Sequence, residues 1–156
     1  MDKYPMTLKG KQKLEAELKH IREVTRPENV KAIETAREHG DLKENAEYKA
    51  AKEQQSLIAA RMEYLEDRIS RAQVIDVSKL SGDRVVFGAT VTLENIDTGE
   101  TRTYRILGDD EADIDAGSIS ISSPIARGLI GKEVGDEVAI RTPAGMRHFE
   151  ISDVAF

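Results

Sequence analysis

The chain has no cysteine and no tryptophan, and aromatic residues make up only 4% of its 156 positions. Without cysteine there is neither a disulfide nor a thiolate zinc site, and the composition suits a reducing compartment. So few aromatics imply that at least one part of the chain has a thin core. No apolar run approaches the roughly 20 residues that a membrane span needs. The N-terminal MDKYPMTLKGKQ lacks the apolar centre of a signal peptide. The expectation is a cytoplasmic protein with no membrane partner. Excess positive charge is also missing: the net charge is −6, which argues against nucleic acid as the main source of affinity. The imbalance is local. Residues 1–80 hold 16 Lys+Arg against 15 Asp+Glu, and residues 81–156 hold 7 against 14.

What is present falls into two periods. From 44 to 72 a 4-3 spacing runs through Tyr48, Ala51, Gln55, Ile58, Met62, Leu65, Ile69 and Ala72, a narrow seam that calls for one partner helix. Leu14, Leu18 and Ile21 follow the same spacing upstream, and Val30 and Ile33 resume it after a phase slip near Pro27. Pro27 removes a backbone donor, so a kink, local unwinding or a break belongs there. Between the stripes the one sharp interruption is His39-Gly40-Asp41, and so short a turn makes neighbouring helices antiparallel. Residues 1–79 therefore read as an antiparallel coiled-coil hairpin with an acidic tip at 40–45.

After residue 80 the alternation changes to period two. Val85, Phe87, Val91 and Leu93 predict a strand, Asp97-Thr98-Gly99 a turn, and Thr101, Thr103, Tyr104 and Ile106 the returning strand. Pro124 predicts a helix start, Ile125 to Ile130 the helix, and Gly131 its stop. Two further strands are expected over Val138–Thr142 and Arg147–Ile151. GDDEADIDAG at 108–117 reads as an acidic loop without periodicity. Residues 80–156 thus form a small antiparallel sheet with one short helix, and the fold class is α+β.

The tip sequence EHGDLKENAEY at 38–48 has two readings. Structurally, Gly40 takes the left-handed conformation that ends a helix, Asp41 is the next N-cap, and Glu44 falls at the third helical position of a capping box. Functionally, two carboxylates on an exposed turn are hard oxygen donors for Mg²⁺, which accepts one or two carboxylates and completes its shell with water and substrate phosphate. Such a pair is useful only if a phosphate-rich centre on a partner supplies the rest. Arg37, Lys43, Lys49 and Lys52 lie near the tip, where they read as a solvated face or as phosphate contacts. His20, His39 and His148 have no metal-ligand spacing.

EHGDLKENAEY, AAKEQQ at 50–55, RVVFGATVTL, YRILGDDEAD and SPIARGLIGKEVGDEV together resemble the bacterial Gre transcript cleavage factors, of the GreA type, over essentially the whole chain. The resemblance implies a C-terminal domain similar in fold to FKBP-type prolyl isomerases that binds bacterial RNA polymerase. It implies a hairpin that enters the secondary channel and stimulates the polymerase's cleavage of the 3′ end of backtracked nascent RNA. Asp41 and Glu44 match the family's acidic pair, which helps to hold a Mg²⁺ shared with the polymerase active centre; no cofactor is expected to stay bound to the free protein, and no small-molecule substrate is implied. Arg37 and Lys52 match RNA-proximal positions, and Gly40, Asn45 and Tyr48 support the tip. Ser123, Pro124 and Arg127 match the contact with the polymerase rim. By this reading the chain is not itself an enzyme. The alternatives are a channel-binding inhibitor without cleavage stimulation and a prolyl isomerase; the latter is disfavoured because residues 81–156 contain only Phe87, Tyr104, Phe149 and Phe156 as aromatics. The zinc-containing hairpin of the DksA kind is excluded by the lack of cysteine.

Overall fold

The computed structural model describes residues 2–40 and 44–156. Helical backbone runs from Leu8 to Arg37 through α1 (Leu8–His20), a π-helical turn (Ile21–Thr25) and α2 (Arg26–Arg37). The π turn follows from the spacing of the apolar stripe. Leu14, Leu18 and Ile21 are buried, and the next buried positions are Asn29, Ile33 and Ala36. Eight residues separate Ile21 from Asn29, where a heptad has seven. In an unbroken α-helix the surplus residue would turn the stripe by about 100°. A turn bonded five residues back absorbs it, and the Arg26 N–H reaches the Ile21 carbonyl. Pro27 sits in the first turn of α2, immediately past this widened turn. The disturbance expected at Pro27 is therefore local unwinding and not a break. One seam position is corrected: Val30 is 45% exposed and Asn29 is buried in its place, because the phase slip is taken up upstream of Pro27.

The returning helix, α3 (Ala46–Ser70), buries Ala51, Ile58 and Leu65 at strict seven-residue intervals. Tyr48, Met62 and Ile69 are half-buried, and Gln55 is exposed. Every second seam member therefore carries the burial, as a thin core requires; each fully buried leucine or isoleucine contributes about 1.5–3 kcal/mol. The antiparallel course is marked by ion pairs. Arg61 donates to both carboxylate oxygens of Glu17, at 2.6 and 2.9 Å, and Arg22 donates to Glu66 at 2.8 Å.

The chain divides into two compact units, one holding residues 11–72 and the other residues 3–10 and 73–156. Residues 3–10 and 73–79, read from sequence with the hairpin, thus cluster with the sheet. The reason is a pair of short strands: β1 (Tyr4–Met6) pairs with β2 (Ala72–Val74), and the Ile75 N–H donates to the Met6 carbonyl at 2.9 Å. The acidic loop participates as well. Glu111 accepts from the Thr7 N–H at 3.0 Å, the Thr7 hydroxyl at 2.5 Å and the Gly108 N–H at 3.2 Å. Thr7 Oγ1 in turn accepts from the Gly10 N–H at 3.0 Å, capping the start of α1.

The sheet of the second unit has five strands in the order β5-β4-β3-β7-β6. β3 (Thr90–Asn95) and β4 (Thr101–Leu107) form the expected hairpin; Asn95 Oδ1 accepts from the N–H groups of Asp97 and Thr98 in its turn. β5 (Ser118–Ser120) pairs with β4 in parallel, which corrects the all-antiparallel expectation. The 108–117 segment is a crossover and not a hairpin turn, and only a crossover can set two consecutive strands parallel. The expected strand at Val85–Phe87 is also corrected. Both residues are buried, but the segment has only the isolated bridge Arg84–Glu133 beside it, and Gly88 (φ +84°) turns the chain before β3 begins. Alternating burial there comes from docking on the core and not from sheet pairing.

The remaining elements match the alternation: α4 (Pro124–Leu129), β6 (Glu137–Thr142) and β7 (Gly145–Ala155). β7 pairs antiparallel with both β6 and β3, shifting register opposite Thr92 and Leu93. Val85, Val91, Leu93, Ile106, Leu129 and Ile151 form the fully buried centre.

Candidate functional site

Asp41 and Lys43 lie outside the described residues. On the near side of the turn, α2 ends at Arg37, and the N–H groups of His39 and Gly40 bond back to the carbonyls of Ala36 and Arg37. Gly40 has φ +98°, the left-handed stop read from the sequence. On the far side, the sequence reading of the cap is overturned. The N-cap of α3 is Asn45, not Asp41, and Glu44 precedes the helix instead of occupying its third position. Asn45 Oδ1 accepts from the Tyr48 N–H at 3.0 Å, and Asn45 Nδ2 donates to the Ala36 carbonyl at 2.6 Å. Asn45 wins because its amide does two jobs at once: the oxygen caps its own helix while the nitrogen fastens to the end of the other.

Glu44 is exposed and is joined directly to this doubly held residue. Arg37, also exposed, lies over the ring of half-buried Tyr48, which brings these two predicted residues together across the turn. Lys52 lies one turn further along α3 and donates to Gln55 at 2.8 Å. His39 Nδ1 is 3.8 Å from a Glu47 carboxylate oxygen, an ion pair only when the ring is protonated. The residue that the sequence reading missed is Asn29. It is 8% exposed, and its Nδ2 donates to the Ala51 carbonyl across the hairpin at 3.0 Å. The signal was available in the eight-residue interval from Ile21.

In the second unit Ser123 is the N-cap of α4, its Oγ accepting from the Ala126 N–H at 3.3 Å, with Pro124 in the first turn. Pro124 and Arg127 are exposed on this short helix. Next to Ser123, Asp109 accepts from the hydroxyls of both Ser120 and Ser122, which fixes the strand-to-helix loop. A cleft of about 510 Å³ is bordered by Tyr104, Ile125, Ile140 and Phe149, with Arg102, Arg141 and Arg147 around them. Phe87 is in the core and Phe156 is exposed, so two aromatics border this cleft. That is far from an aromatic-lined isomerase pocket.

The family profile described as Transcription elongation factor, N-terminal, matches residues 4–74, and the one described as Transcription elongation factor, GreA/GreB, C-term, matches residues 80–156. The chain belongs to the GreA/GreB family of transcription elongation factors. Transcription elongation factor GreA of Mesorhizobium japonicum is 58% identical over 156 residues, covering 100% of this chain and 99% of the relative. GreA of Beijerinckia indica is 56% identical with the same coverage. The solved GreA factor homolog 1 (Gfh1) of Thermus thermophilus aligns over 99% of both chains at 30% identity, with a TM-score of 0.45, too low to bear on shape. The N-terminal profile spans the hairpin together with the paired strands β1 and β2, and the C-terminal profile spans the five-stranded sheet. Among the described residues no helix is long and apolar enough to cross a membrane.

Proposed function

We propose that the chain enters the secondary channel of bacterial RNA polymerase tip first and stimulates the polymerase's own Mg²⁺-dependent cleavage of the 3′ end of backtracked nascent RNA, so that arrested complexes resume. The observation that carries this reading is the exposed carboxylate of Glu44 standing directly on the Asn45 cap. α3 has 25 residues, so the cap lies about 37 Å from the other end of that helix at a rise of 1.5 Å per residue. A carboxylate held on such a rod is suited to delivery into a partner.

Among the described residues no group of three or more His, Asp or Glu is placed to hold a metal ion. Asp41 and Glu44 would be a partial shell of hard oxygen donors, the kind Mg²⁺ accepts alongside water and phosphate. When bound, the ion supplies nucleophile activation and charge stabilisation for phosphodiester hydrolysis. The chain's own residues orient and hold: Asp41 and Glu44 offer the carboxylates, and Asn45, Gly40 and Tyr48 keep them in place. Arg37 presents a planar guanidinium and Lys52 a point charge to the RNA phosphates. Ser123, Pro124 and Arg127 face the polymerase rim. The factor contributes ligands, and the polymerase remains the catalyst.

The test uses halted, backtracked polymerase complexes carrying 5′-labelled RNA, with wild type, Asp41→Asn and Glu44→Gln compared at saturating factor. The expected result is RNA shortening by wild type and its loss in both variants, with polymerase binding retained. Variants that cleave as well as wild type overturn the carboxylate role. Inhibition without cleavage by wild type overturns the whole reading in favour of a channel-blocking factor.

A further inference from the structure

Two asparagine amides cross the hairpin. Asn29 Nδ2, on α2, donates to the carbonyl of Ala51 on α3, and Asn45 Nδ2, at the head of α3, donates to the carbonyl of Ala36 on α2. The two bonds run in opposite directions, so each arm is both donor and acceptor. Their acceptors are main-chain atoms, and both acceptor residues are alanines, whose side chains are short enough to leave the carbonyl reachable. A bond to a side chain tolerates sliding because the side chain can follow. A helical carbonyl moves only with its helix, so a bond to it is made at discrete axial positions about one turn apart on a given face.

Asn29 also stands out by chemistry. It is the one polar residue among the buried positions of residues 11–40, which are otherwise Leu14, Leu18, Ile21, Ile33 and Ala36. A polar amide in an apolar helical seam lowers stability and fixes register. The π turn at Ile21–Thr25 brings this residue into the seam, so the local irregularity and the buried amide are one arrangement.

We propose that Asn29 is a positioning residue: its amide, acting with Asn45, pins the axial register of α2 against α3 and thereby sets where the tip carboxylates stand. This rests on the proposed function for its activity readout. The apolar seam alone does not define that position, since its buried members repeat and are slender. A slip of one helical turn moves one arm by about 5.4 Å, and even a 1 Å misplacement of reacting groups costs up to about a hundredfold in rate.

The deciding variant is Asn29→Leu, with Asn29→Gln as the conservative partner. Because the natural chain is free of cysteine, nitroxide labels on Glu34→Cys and Glu53→Cys, both exposed, report the register directly by pulsed electron–electron resonance. The expected result is one narrow distance with Asn29 and a broadened or two-peaked distribution with Asn29→Leu. The urea midpoint of Asn29→Leu is expected to rise while cleavage per bound polymerase falls about tenfold or more; Asn29→Gln recovers part of both register and cleavage. Opposite movements of stability and activity are what a merely structural residue does not produce. A narrow distribution for Asn29→Leu equal to that of wild type overturns the proposal. So does loss of stability and activity in proportion. If wild type itself stimulates no cleavage, the proposed function fails while the label distances still decide the register.

Discussion

The guanidinium carbon of Arg37 lies 5.9 Å from the centroid of the Tyr48 ring. The last residue of one arm of the hairpin therefore touches the first turn of the other across a turn whose middle is acidic. Such a contact holds a cation near the tip without neutralising a carboxylate.

Tyr48→Phe is expected to leave stability nearly unchanged, because the ring face is kept. Tyr48→Ala is expected to cost about 0.5–1 kcal/mol from the cation–π contact at an exposed site, with lost packing in addition. Urea titration followed by helical circular dichroism checks both. Equal midpoints for Tyr48→Ala and wild type would remove the contact from the account of the tip.

The double role of Asn45 can be divided by substitution. Asn45→Asp keeps the cap acceptor for the Tyr48 N–H but loses the donor to Ala36, whereas Asn45→Ala loses both. Asn45→Ala is expected to cost about 1–2 kcal/mol and Asn45→Asp less, since aspartate is as good an N-cap as asparagine. The comparison is read from urea midpoints at neutral pH, and equal losses in the two variants would show that the cap contributes nothing.

Acid should weaken the hairpin through Glu17. The hydrogen bonds from the Arg61 side chain, with the charge of Arg61 adding to them, hold the Glu17 carboxyl below its ordinary value of 4.5, against a smaller opposing push from partial burial. A lowered folded-state value means that the stabilisation is fully present above the unfolded value and is lost as pH falls through the folded one. The pair is solvent-exposed, so the contribution is about 0.2–1 kcal/mol and shrinks with salt. Between pH 7 and pH 3, Glu17→Gln should lose less stability than wild type. Parallel losses in the two proteins would contradict this.

Removal of the Glu111 carboxylate strands three donors: the N–H groups of Thr7 and Gly108 and the Thr7 hydroxyl. Glu111→Ala is expected to destabilise the sheet unit by about 1–3 kcal/mol. Amide exchange at Thr7, Gly10 and Gly108 should accelerate before exchange in β3 or β7 does. Unchanged exchange at these three amides would mean that the carboxylate carries none of the local order.

Much of this fold can be read from the chain itself. The hairpin follows from Ala51, Ile58 and Leu65 at seven-residue intervals, and α4 follows from Pro124 as its start and Gly131 as its stop. The start of α3 does not follow from local rules, because Asp41 and Asn45 are equally good N-caps by residue type. The choice is made by a partner outside the local sequence, the Ala36 carbonyl. For the same reason the parallel pairing of β4 with β5 is invisible in the pattern of GDDEADIDAG: the direction of a strand depends on where the connection goes, and a periodicity of two is the same in both directions. Val85 and Phe87 alternate like a strand because a segment lying on a core also buries every other side chain. At the tip the exposed carboxylate of Glu44 can be named from the sequence, whereas Asn29 is a seam residue of unfavourable type, and a search for apolar spacing passes over it.

The sheet unit is discontinuous in the chain: its first eight residues, 3–10, are separated from the remainder by the whole of residues 11–72. During synthesis the hairpin therefore emerges complete, with only local partners to find, while Thr7 waits for Glu111, 104 positions away. At roughly 5–20 residues per second, that wait is about 5–20 s. β1 meets β2 as soon as the hairpin is complete, but Thr7 lacks its carboxylate partner until Glu111 is made, so the ribosome releases a finished hairpin well before it releases the second unit.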